Sequence, residues 1–199
     1  MYGRWRVKIL LILAALLGCT LPASANSSVA DMLHDYDVAR AAFGELAPNV
    51  RVRVIACDEV NAAFEPADNT VYLCSELAPL GDDVITFVAA HELAHALVWQ
   101  LGIDDVDPEA GADELASLLL EEDGHRAAVV AAAEMFMGLH KDPSPNDVHP
   151  ANMVRARDLL CIDDGEDGPN AADPNCALYT QRARSSWVRV ILTALRAMD

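Results

Sequence analysis

Apolar residues recur at intervals of three and four along residues 29–46: Val29, Met32, Leu33, Tyr36, Ala39, Phe43 and Leu46. That spacing puts them on one face of an amphipathic helix, which Pro48-Asn49 ends. The period then drops to two. Val50, Val52, Val54 and Ala56 alternate with Arg51, Arg53 and Ile55, which predicts a strand running to Cys57. Two shorter strands are expected over Asn61–Glu65 and Thr70–Cys74, separated by the turn residues Pro66-Ala67-Asp68-Asn69. Together they predict a small β-meander whose first and third strands run the same way.

From Gly81 onward the pattern is helical. Asp82 or Asp83 is the expected cap of a helix reaching about Leu101, and Gly102 stops it. Asp107 is the expected cap of the next helix, with Pro108 at its first position, running through Leu118–Leu120. An Ala- and Met-rich helix spans His125–His140. The breaker Asp142-Pro143-Ser144-Pro145-Asn146 follows it, then a helix over Pro150–Cys161 and an acidic loop over Asp163–Asn175. A long helix over Ala177–Met198 closes the chain, with Leu178, Trp187, Val190, Ile191 and Leu195 expected on its apolar side.

The first residues change the class of protein. Arg4, Arg6 and Lys8 precede an unbroken apolar run from Ile9 to Leu17, and Ala23-Ser24-Ala25 follows. The run is too short to span a bilayer, which takes about 20 residues. These are the parts of a signal peptide over residues 1–25, leaving 26–199 as a single exported domain with no transmembrane helix. Leu16-Leu17-Gly18-Cys19 also matches a lipoprotein box. It offers a lipid anchor at Cys19 as the alternative to free periplasmic or secreted protein. The chain carries a formal net charge of −17, and losing residues 1–25, with three basic and no acidic side chains, leaves −20. A field of that sign excludes nucleic acid as a partner.

Export also decides how the cysteines are read. Without Cys19 four remain, an even number that favours two disulfides in an oxidising compartment. Three pairings exist, and the near-neighbour pairs Cys57–Cys74 and Cys161–Cys176 are the expected ones. No CxxC spacing is present to suggest thiolate zinc ligation.

The residues that carry chemistry are His91-Glu92-Leu93-Ala94-His95, inside the strongest predicted helix. Histidines at i and i+4 share a helical face, close enough for both imidazoles to bind one Zn2+ ion. Glu92 lies beside them, placed to act as a general base. The next helix supplies Glu109, Asp113 and Glu114 as carboxylates for the third protein ligand. Glu109 and Asp113 share a face, and Glu114 is turned away. A tight antiparallel helix pair would bring Asp113, rather than Glu109, level with His95. An oxyanion donor is also needed; His149 is the first candidate and Arg155 the second.

The order of motifs resembles a family of otherwise uncharacterised bacterial metallopeptidases with a glutamate-zincin core. The resemblance rests on Cys57-x-x-x-Asn61-Ala62-x-Phe64, Val71-x-x-Cys74-x-Glu76, HELAHAL at 91–97, and E-x-x-A-D-x-x-A from Glu109 to Ala116. Asp147-x-His149 and the segment from Arg155 to Cys161 complete it. The resemblance implies Glu109 as the metal ligand and Asp113 as the acceptor of a ligating imidazole's N–H. It also implies an α+β, mostly helical fold. Its zincin-like core is a small N-terminal meander packed on the HExxH helix and a following acidic helix. The implied activity is zinc-dependent hydrolysis of peptide bonds in a peptide or protein substrate, with metal-activated water and Glu92 as base. The alternative is a non-catalytic exported acidic binding domain with a structural or vestigial metal site.

Overall fold

The computed structural model describes residues 28–104, 106–138, 152–164 and 174–198. The expected signal peptide, Cys19, Asp147 and His149 lie outside the described residues. Helix α1 spans Val29–Ala42 and starts in a capping box. Ser28 Oγ accepts the Asp31 N–H at 3.2 Å, and the Asp31 carboxylate accepts the Ser28 N–H at 2.7 Å. Phe43 closes the helix, and Gly44–Leu46 forms one separate 3-10 turn.

Three strands follow: β1 (Arg51–Ile55), β2 (Ala62–Glu65) and β3 (Thr70–Cys74). Their order corrects the expected meander. The sheet runs β1-β3-β2, with β1 parallel and β2 antiparallel to β3. Burial explains why β3 takes the centre. Four of its five residues are buried, whereas β1 exposes Arg51, Arg53 and Ile55 and so suits an edge. The parallel register sets Ile55 opposite Cys74, which brings Cys57 within reach. The Cys57–Cys74 disulfide has its Cα atoms 5.4 Å apart.

A 3-10 segment, Ser75–Leu80, leads into helix α2 (Asp82–Gln100). Neither Asp82 nor Asp83 is its cap. Gly81 occupies that position with φ +88°, a backbone conformation side chains disfavour, and the two aspartates sit in the first turn. Helix α2 ends in a Schellman motif. Gly102, at φ +63°, donates to Trp99 O at 3.1 Å, and Ile103 donates to Val98 O at 3.0 Å. Twelve of the α2 residues are buried, because α1, α3, α4 and the sheet all pack around it. This is the rigid setting a site helix needs.

Helix α3 (Pro108–Glu122) begins where the sequence expects, with Asp107 accepting from the N–H groups of Glu109 (3.1 Å) and Ala110 (2.9 Å). Helix α4 spans Arg126–Gly138, α5 Asn152–Asp164 and α6 Pro174–Met198. A second disulfide, Cys161–Cys176, ties α5 to α6 with Cα atoms 4.6 Å apart. Two disulfides fit an oxidising compartment. The buried side of α6 carries Cys176, Thr180, Ala183 and Trp187, while Leu178 and Leu195, expected there, are exposed. Trp187 sets that rotation. It packs so close to Gly111 that an added Cβ there would meet its ring at 3.3 Å, and its indole N–H donates to Glu114 at 3.3 Å. Among the described residues no helix is long and apolar enough to cross a membrane.

Candidate metal centre

His91 and His95 project from adjacent turns of α2 with ring centroids 4.6 Å apart and planes at 86°. Their Nε2 atoms face each other at 3.0 Å. Glu109, in the first turn of α3, faces both. Its Oε2 lies 3.4 Å from His91 Nε2 and its Oε1 3.6 Å from His95 Nε2. His91, His95 and Glu109 therefore form a triangle of electron-pair donors suited to one metal ion. For ligands at about 2.0–2.1 Å in a tetrahedron, neighbouring donors stand about 3.3 Å apart. The two Nε2 atoms stand 3.0 Å apart, and each lies 3.4 or 3.6 Å from one of the two Glu109 oxygens, separations close to that value.

Asp113, one turn further along α3, does not enter the triangle. Its Oδ1 lies 2.9 Å from His91 Nδ1. A carboxylate only accepts, so Nδ1 carries the hydrogen and Nε2 presents its lone pair inward. The level-pairing argument that favoured Asp113 beside His95 assumes α3 starts where α2 stops. Instead, α2 closes in the Schellman turn and α3 begins only at Pro108. The Glu109 carboxylate, one methylene longer than that of Asp113, reaches both Nε2 atoms. Glu114 holds a different position, accepting from Tyr179 Oη at 2.8 Å and from Trp187, and so fastens α6 to α3.

Arg155 stands behind Asp113 rather than over the donor triangle. Its Nε and Nη2 donate to Asp113 Oδ2 and Oδ1 at 2.6 and 2.7 Å, and its guanidinium covers the Phe136 ring at 4.0 Å. The Arg155 Nε and Nη2 groups, expected as oxyanion donors, are engaged by Asp113. The signal was in the sequence. Arg155 shares a helical stripe with Leu159 and Ile162, all buried, and an arginine on a buried stripe needs a carboxylate partner.

Charge in the cluster follows from these contacts. Burial works against a charge on His91, but Asp113 and Glu109 outweigh it and lift the imidazole to about 10. His95 moves the other way, down to about 3, through burial and the neighbouring His91 charge. Burial pushes Asp113 up, yet Arg155 and His91 together hold it below its ordinary range. Burial raises Glu92, against the pull of His91 and the Phe64 N–H. The Glu92 side chain lies outside the donor triangle, with Oε2 accepting the Phe64 N–H from β2 at 2.7 Å. No sequence pattern foretold that link between the sheet edge and the HExxH helix.

A second cluster, Cys57, Cys74 and Glu76, has its two sulfurs consumed by the disulfide. Glu76 instead accepts the N–H groups of Cys57 and Asp58 at 3.1 and 3.2 Å and pins the chain after β1.

Set against family models, curated proteins and solved structures, the chain matches none of them.

Proposed function

We propose that this protein is an exported zinc-dependent peptide hydrolase, of the glutamate-zincin kind that its motif order resembles. The observation that carries the reading is the donor triangle of His91, His95 and Glu109, with a second carboxylate, Glu92, buried beside it and left out of it. In a hydrolytic site that extra carboxylate has a use as the base. His91, His95 and Glu109 would hold the zinc ion, which when bound would supply Lewis acidity towards a carbonyl oxygen and water. Glu92 is the group to accept a proton and return it to the leaving amine, and its upward shift makes it a stronger base. Asp113, clamped by Arg155, keeps His91 in one tautomer and one orientation. The two disulfides support the exported location.

One observation favours the alternative of a metal-holding but non-catalytic domain. Glu92 is only 2 % exposed and already bonded to the Phe64 N–H. Two measurements separate these readings. Zinc content is read on the full chain and on His95→Ala, with about one ion per wild-type chain and loss in the variant expected. Peptide-library cleavage is then read on the wild type and Glu92→Gln. Cleavage by the wild type alone supports the hydrolase. Equal zinc in wild type and His95→Ala removes the metal centre; zinc without wild-type cleavage, or cleavage that Glu92→Gln retains, removes the enzyme.

A further inference from the structure

The donor cluster is unevenly buried. His91 and Glu109 side chains are 4 % and 6 % exposed, while His95 is 17 % exposed. Of the three, His95 is the one that solvent reaches most. One turn further along the same stripe stands Trp99, about 6 Å along the axis from His95. It is 52 % exposed, and among the described residues it is the one aromatic side chain so far out in solvent. Its ring leans on Phe64, with centroids 5.8 Å apart and planes at 59°. Phe64 is also the residue whose N–H holds Glu92. The run Glu92–Phe64–Trp99 thus joins the candidate base to an exposed aromatic side chain one helical turn beyond His95.

From this placement we infer that Trp99, backed by Phe64, is the side-chain subsite of the proposed hydrolase. Its occupant is an aromatic or large aliphatic side chain next to the bond presented to the metal. The inference rests on the metal reading above and adds the substrate class to it. A tryptophan left half in water gains apolar contact when such a side chain covers it, whereas an alanine side chain reaches too little of the ring. The chain's net charge of −17 argues against an acidic residue at this place.

The test uses two metal-chelating probes, the hydroxamates of phenylalanine and of alanine, titrated calorimetrically into the zinc-loaded full chain. Binding is read directly, so no turnover is needed. Wild type is expected to favour the phenylalanine probe by about tenfold or more. Trp99→Ala should bring the ratio to about twofold or less, with zinc content and affinity for the alanine probe unchanged, while Trp99→Phe keeps most of the preference. A ratio near one in wild type, or a preference that survives Trp99→Ala, overturns the subsite. Failure of the wild-type chain to hold zinc is the separate outcome that overturns the metal reading, and this inference with it.

Discussion

Removing the Arg155 guanidinium with Arg155→Met tests how the metal centre is held. Both Arg155 and Asp113 are buried, at 6 % and 5 % exposure, and two hydrogen bonds of 2.6 and 2.7 Å join them. Methionine keeps much of the volume against Phe136 but leaves the Asp113 carboxylate in the interior without its cation. Breaking a buried pair from one side costs about 3–5 kcal/mol. The stacking of the guanidinium on Phe136 is lost as well, worth about 0.5–2 kcal/mol. Asp113 is also what aims His91, so zinc affinity should fall about 10- to 100-fold. Urea unfolding measures the first effect and zinc competition with a chromogenic chelator the second. The double variant Arg155→Met/Asp113→Leu separates charge from packing. With both ions gone, it should recover most of the lost stability while zinc affinity stays low. Strictly additive stability losses in that cycle, or unchanged zinc affinity in Arg155→Met, would refute the clamp.

Asp35, on the face of α1 turned to α2, is buried, and its Oδ2 has no hydrogen-bond partner; burial and the charge of Asp82 raise it from 3.8 to about 6. The folded state then binds the proton more tightly than the unfolded state, so stability falls as pH rises from about 4 to about 6 and stays low above that. Asp35→Asn should be about 1–2 kcal/mol more stable than wild type at pH 8 and close to it near pH 4; equal unfolding midpoints at pH 8 would contradict this. Replacing Cys57 and Cys74 together by serine opens a loop with a separation of 17 residues, and the loss, read by denaturation, should be about 3 kcal/mol. Zinc in hundredfold excess over its dissociation constant should add about 2.7 kcal/mol to wild-type stability and nothing to His91→Ala, as seen in thermal melts.

Local rules reached most of this molecule. The capping of α3 by Asp107 and the stop at Gly102 depend on neighbours in sequence, and both are found where spacing puts them. HExxH is likewise a local fact, since one helical turn suffices to align His91 with His95. What escaped was decided between distant segments. Strand order is one case: alternation identifies β1, β2 and β3, but only the two-sided burial of β3 makes it central. The rotation of α6 is another. Its Leu178 and Leu195 look like core residues until Trp187 is seen to need the space above Gly111 and the carboxylate of Glu114. The third candidate donor shows the limit most sharply. Glu109 and Asp113 share one face of α3, and chemistry alone makes either a zinc ligand. The packing of α3 on α2 decides between them: it brings Glu109 to both Nε2 atoms and Asp113 to His91 Nδ1. A cluster built from two helices is thus written in their motifs, but which carboxylate meets which imidazole nitrogen is set by how the helices pack, which no local spacing fixes.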